Sequence, residues 1–196
     1  MAERLAEGNL AVALLANAVA TGGGLFALIA TFGALSGAHF NPIVSLHEAW
    51  RGNTSRRAVP AYVLAQLGGA VLGVVLAHAM FELPLVMSSS HVRTGLAVWI
   101  AEAVATAGLL LVITGTSRRA DNVVLFAVPA YIVAAYWATS STSFANPAVT
   151  VARALTDTFA GIRPADVLGF IGAQLVGALV AAAIGAYLWP REGKIL

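Results

Sequence analysis

The chain has 196 residues, of which 59% are hydrophobic and 10% charged, with no cysteine and a formal charge of +2. An ordinary soluble domain carries roughly a quarter charged residues; here the charges gather in short connectors between long apolar runs, which excludes a soluble core built from amphipathic elements. The absence of cysteine excludes a disulfide framework, a thiol nucleophile and a thiolate metal site, and a charge set by a few loop arginines gives no reason to invoke nucleic acid.

Residues 1–9 are acidic where a cleavable signal peptide begins with a basic stretch, so none is predicted. Spans are predicted at residues 10–35, 59–81, 96–115, 123–139 and 167–189, each near the ~20 residues needed to cross the hydrocarbon layer. The fold class is therefore all-α and integral to the membrane, as one domain over 1–196. Arg51, Arg56, Arg57, Arg118, Arg119, Arg191 and Lys194 fall in connectors predicted to be cytoplasmic, and Arg4, Arg93, Arg153 and Arg163 fall opposite. Five crossings then place the N-terminus outside and the C-terminus in the cytoplasm.

Two segments interrupt this pattern. Residues 36–44 read Ser-Gly-Ala-His-Phe-Asn-Pro-Ile-Val, and residues 142–149 read Thr-Ser-Phe-Ala-Asn-Pro-Ala-Val. The asparagines, Asn41 and Asn146, lie 105 residues apart (146 − 41). Proline lacks a backbone donor and an asparagine amide is costly to desolvate. At membrane depth such residues are tolerated only where the backbone is buried in protein or lines water. A duplicated Asn-Pro between apolar spans therefore predicts two half-membrane helices aimed at a shared polar path.

The repeat extends further. Ala65-Gln66-Leu67-Gly68-Gly69-Ala70 recurs as Ala173-Gln174-Leu175-Val176-Gly177-Ala178. Gln66 follows Asn41 by 25 residues (66 − 41) and Gln174 follows Asn146 by 28 (174 − 146). Two halves result, 1–93 and 94–196. The second contains span, span, half-helix and span, whereas the first lacks an opening span. Glu102 precedes Asn146 by 44 residues (146 − 102), which would place its first-half counterpart before Met1. A missed upstream start, a genuine truncation and a natural five-span protein all remain open at this point.

At these residues the chain resembles the major intrinsic protein family, the aquaporins and glycerol facilitators. The resemblance rests on the two Asn-Pro boxes, the Ser-Gly-Ala-His lead-in, Glu102 and the paired Ala-Gln-Leu motifs, and it covers essentially the whole chain. It implies an inverted repeat of six tilted helices and two half-helices meeting at mid-bilayer, with five of the six spans present here, and a likeness to family members that form homotetramers in a cytoplasmic membrane. It implies no cofactor, no metal, no catalysis, and small neutral solutes and water as partners. The pore motif is Asn41, Pro42 and Ile43 with Asn146, Pro147 and Ala148. Ile43 departs from the family's alanine. Glu102 is expected to brace the adjoining loop, with His39, Gln66 and Gln174 as further structural support.

Relatives selective for water or glycerol place an arginine three residues after the second asparagine. Here that position is Val149, and Arg153, a turn farther along, is not expected to substitute. By family offsets the remaining constriction positions are Thr21, Ala134 and Ser143. A ring of Thr21, Ala134, Ser143 and Val149 is small and uncharged. It predicts passage of solutes larger than water, such as polyols or uncharged metalloid hydroxides like arsenous acid, and is similar to the bacterial branch associated with arsenic resistance. The same asparagines also serve as helix caps in a protein that conducts nothing, and inverted repeats with broken helices occur in secondary transporters as well.

Overall fold

In the computed structural model, which describes residues 1–119 and 122–190, every regular element is helical. Arg191 and Lys194, assigned above to the cytoplasmic side, lie outside the described residues. A short α1 (Ala2–Leu5) precedes α2 (Leu10–Ser36), which starts at Asn9, whose side chain accepts from the amides of Ala11 and Val12. The helix stops at Gly37, where φ is +74°, a conformation costly for most L-residues. The half-helix α3 (Pro42–Arg51) follows, then α4 (Val59–Met80), α5 (Leu96–Thr116), α6 (Val124–Ala138), the second half-helix α7 (Pro147–Arg153) and α8 (Val167–Leu188).

Helices α2, α4, α5 and α8 are long and apolar enough to cross a membrane. The expected span 123–139 is a helix of 15 residues, about 22 Å at 1.5 Å per residue and so short of a 30 Å hydrocarbon layer. Thr139 ends it in an extended conformation, Ser141 beyond it is already at the Arg93 end, its carbonyl accepting from that side chain, and the irregular segment then turns back to Asn146, which lines the larger cavity. Large apolar side chains such as Leu72, Leu76, Leu168 and Leu179 face outward.

The chain's connectors gather at two ends. At one, Glu3 Oε1 accepts from the Phe159 amide (3.3 Å), the Met87 amide donates to Leu155 O (3.0 Å) and the Arg163 amide to His91 O (2.7 Å). Arg93 is fixed there by donating to the carbonyls of Gly161 (2.7 Å), Phe159 (3.0 Å) and Ser141 (3.3 Å). At the other end Arg51 Nη1 donates to Ser117 Oγ (3.4 Å) and shares a cavity with Arg118. Among the described residues, Arg51 and Arg118 thus lie at one end and Arg93 and Arg163 at the other.

The core sits where α5 packs on α8 and around the half-helices; Ile43, Val44, Ala105, Leu109, Leu110, Val128, Ala145 and Ala181 form one buried cluster. Gly177 makes the α5–α8 contact possible, because a Cβ there would strike the Ala103 backbone carbonyl. Backbone cannot swing aside as a side-chain tip can. Gly177→Leu is therefore expected to abolish folding, read as loss of monodisperse protein on size-exclusion chromatography in detergent, whereas Gly69→Leu, at the matching position of α4 where nothing lies within 4 Å, is expected to be tolerated.

Candidate functional site

Asn41 and Asn146 each do two things. Their side-chain oxygens cap the half-helices: Asn41 Oδ1 accepts from the Ile43 amide (3.0 Å), and Asn146 Oδ1 from those of Ala148 (3.0 Å) and Val149 (3.3 Å). Proline at the first helical position costs no bond, since that amide has no partner inside the helix anyway. The side-chain nitrogens cross between the repeats, Asn41 Nδ2 donating to Ala145 O (2.7 Å) and Asn146 Nδ2 to Phe40 O (2.9 Å). The helix tips are thereby tied together. Each NH₂ carries two protons, so one from each asparagine remains for a visitor, and both residues line the same cavity of about 830 Å³. Pro42, Ile43 and Ala148 are buried; Ile43 packs into the core cluster and does not line this cavity.

Behind the second box lies a buried polar network. Glu102 is fully inaccessible and accepts from the amides of Phe144 (2.8 Å) and Ala145 (2.9 Å) and from Gln174 Nε2 (2.7 Å). Two successive amides converging on a carboxylate form an anion-binding nest. Gln174 Nε2 also reaches Thr150 Oγ1 (2.9 Å), whose hydroxyl donates to Asn146 O (2.8 Å). The first box repeats part of this: Gln66 Nε2 donates to Ser45 Oγ (2.9 Å), four residues past Asn41 as Thr150 is four past Asn146. His39 Nδ1 meets the same Ser45 Oγ at 3.1 Å and its ring packs against Tyr62.

The repeat is also written in the backbone. Ala38 and Phe40, three and one residues before Asn41, have φ of +48°; Ser143 and Ala145, at the same offsets before Asn146, have φ of +51° and +46°. Positive φ is unusual for residues with a Cβ and costs of order 1–3 kcal/mol each. None of these is glycine or asparagine, so no sequence signal marks them.

A second cavity, of about 370 Å³, lies at the Arg93 end and is lined by Asn17, Tyr136, Thr142, Arg153 and Arg93 among others. Three segments pass from one cavity to the other. On α2 the larger cavity takes Leu25 and Ile29 and the smaller Leu14 and Asn17, with Thr21 between; α6 contributes Val128 and Ile132 to the larger and Tyr136 to the smaller; the loop contributes Phe144 to the larger and Thr142 to the smaller, with Ser143 between. The junction is therefore at Thr21 and Tyr136, whose hydroxyls are 3.5 Å apart.

This geometry places the expected ring residues unequally. Thr21 and Ser143 sit at the junction, Ser143 buried with its hydroxyl unpartnered. Val149 is half-buried and lines neither cavity. Ala134 is corrected: it is exposed, because Val128, Ile132 and Tyr136 mark the cavity face of α6 at four-residue steps and residue 134 falls on the opposite side. The count from Asn146 is two residues too long for this loop. Arg153 lines the smaller cavity and donates from Nη2 to Tyr136 Oη (2.9 Å), with its guanidinium 4.2 Å from the Phe144 ring centroid. Sequence reasoning missed Tyr136 altogether; its signal was the four-residue spacing from Val128 and Ile132.

Comparison with known proteins agrees with the geometry. Residues 2–140 match the model of the family described as "Major intrinsic protein". Aquaglyceroporin AqpS of Rhizobium meliloti (strain 1021) is 50% identical over 186 residues, covering 95% of this chain and 80% of the relative. Aquaporin NIP1-1 of Zea mays is 42% identical over 64 residues, 33% of this chain and 23% of its own, and Aquaporin NIP1-1 of Arabidopsis thaliana is 31% identical over 107 residues, 50% and 36%.

Proposed function

The chain belongs to the major intrinsic protein family, and on that premise we propose that it is a passive channel for small neutral solutes, glycerol-like polyols first, with water and uncharged metalloid hydroxides such as arsenous acid. It is a multi-pass membrane protein, and channels of this family are not enzymes. The observation that carries the reading is the reciprocal pairing of Asn41 Nδ2 with Ala145 O and Asn146 Nδ2 with Phe40 O, because it joins two helix N-termini at the wall of one cavity.

Each helix N-terminus carries roughly half a positive charge in its unpaired amides. Two of them facing one path raise the cost for a cation and break a continuous chain of oriented water. A neutral hydroxyl instead exchanges hydration for the free asparagine protons at little net cost. The relative's designation as an aquaglyceroporin supports polyols as the solute class. The pore motif is Asn41, Pro42, Ile43, Asn146, Pro147 and Ala148, with His39, Gln66, Glu102 and Gln174 bracing it and Thr21 and Ser143 at the constriction. Arg51 and Arg118 mark the cytoplasmic end of a chain inserted in a cytoplasmic membrane, as a homotetramer, with its C-terminus inside.

The test is light-scattering flux in proteoliposomes with water, glycerol and arsenous acid, for residues 1–196 and for a form carrying a sixth apolar span. Glycerol flux indifferent to imposed proton and sodium gradients is expected. Flux driven by either gradient would make the protein a secondary transporter, and none from either form would make it non-conducting.

A further inference from the structure

The Arg153 end of the path has a second architecture that the Asn-Pro boxes do not account for. Arg153 closes α7 and lies four residues past Val149, on the same helix face one turn nearer the smaller cavity. Its guanidinium is held from two sides: Nη2 donates to Tyr136 Oη (2.9 Å), and the cationic plane lies 4.2 Å from the Phe144 centroid, well inside the range of a cation–π contact. Tyr136, having accepted that bond, meets Thr21 Oγ1 at 3.5 Å across the junction. Among the described residues no carboxylate is within ion-pair distance of Arg153, and none lines the smaller cavity.

Arg93 lines the same cavity and packs on the other approach to Phe144 at 5.0 Å. It is committed to three backbone carbonyls. Burial, and then the charge of Arg153, lower its pKa to about 10, so it stays charged near neutral pH and the two guanidiniums feel each other. Arg153 is the one whose remaining donors are not consumed by backbone. A guanidinium carries five donors in a fixed plane, and only one is used on Tyr136.

We propose that Arg153, steered by Tyr136, is the specificity-determining cation of this channel, presenting its free N–H groups to solute hydroxyls at the junction between the two cavities. This rests on the channel reading above. It reverses the expectation of an uncharged filter: the fixed charge is retained, but is supplied from one helical turn farther along α7. The ring is then Thr21, Tyr136, Ser143 and Arg153, with the Tyr136 ring offering an apolar edge for carbon and Arg153 offering donors for oxygen. That pairing suits a polyol and opposes a monovalent cation.

The experiment uses the full chain in proteoliposomes, with glycerol, water and methylammonium as probes. Arg153→Gln is expected to lower the glycerol-to-water flux ratio at least 5-fold and to raise methylammonium leak by a similar factor. Tyr136→Phe, which keeps the ring and removes only the acceptor, should shift both in the same direction by less, and Arg153→Lys should restore the cation barrier but not the glycerol ratio. Ratios and leak within 2-fold of the parent in both Arg153→Gln and Tyr136→Phe, at matched reconstitution, would overturn the proposal. A flux-independent arm separates it from failure of the channel reading: phenylglyoxal modification of Arg153, followed by mass spectrometry, should be slowed by glycerol in the parent and accelerated by Tyr136→Phe. Equal rates in all three conditions would overturn it even in a protein that conducts nothing.

Discussion

Glu102→Leu is expected to destabilise the protein by several kcal/mol and to abolish solute flux. The carboxylate accepts three bonds within 2.9 Å, two from the successive amides of Phe144 and Ala145 and one from Gln174 Nε2. Leucine fills the volume but accepts nothing, leaving the buried Phe144 and Ala145 amides unpaired at about 1–3 kcal/mol each, while Gln174 Nε2 loses one bond and keeps that to Thr150 Oγ1. Such a loss corresponds to roughly 10 °C or more in apparent melting temperature for a chain of this size. The functional loss has a separate cause. The two amides hold the loop that carries positive φ at Ser143 and Ala145, and that strain persists only while its surroundings enforce it. Once released, Ala145 O moves away from Asn41 Nδ2 and the two boxes come apart. Glu102→Gln, which keeps one acceptor oxygen in the same place, should lose less than half as much stability. Thermal aggregation in detergent measures the first effect and glycerol flux the second; a leucine variant matching the parent in both would show that the network is dispensable.

What could be read from the chain alone, and what could not, follows from the range of each interaction. The two boxes and the paired glutamines were legible because they recur, and recurrence at matching spacing needs no coordinates; Glu102, which has no counterpart in the chain, was reached only through the family resemblance. The half-helices were legible because Asn-Pro is a start signal whose cost inside a span has to be offset by a cap. Offsets fail where a loop intervenes. Counting back from Asn146 passes through the irregular segment 139–145, and the count lands on the exposed Ala134, whereas the residue of α6 that lines the smaller cavity is Tyr136, two positions on. The contacts of Arg153 were out of reach for a different reason: a count locates its Cα a turn away from Val149 and says nothing of a long side chain that extends to Tyr136 and Phe144. The bonds from each asparagine to the opposite repeat join residues more than 100 positions apart, and nothing local announces them. Nor does any residue type mark the four positive-φ positions.

Val149→Arg restores an arginine three residues after the second asparagine and is expected to depress glycerol or arsenous acid flux at least 10-fold, and water flux by much less. Residues 149 and 153 lie on one face of α7, about 5–6 Å apart along its axis. A second guanidinium there would stand beside the first, at the level of Ser143, and repel it. Arg153 is already tied to Tyr136 and stacked on Phe144, so it yields little, and the new side chain is driven into the passage between the cavities. Water passes a narrowed polar aperture in single file; a three-carbon polyol or a trigonal metalloid hydroxide does not. The charge also adds to that of Arg93 and Arg153, so methylammonium leak should stay at or below the parent's level. Stopped-flow measurements on the same proteoliposomes give all three fluxes. An equal fall in water and glycerol would place Val149 away from the constriction, where its absence from the lining of either cavity reflects a packing role alone.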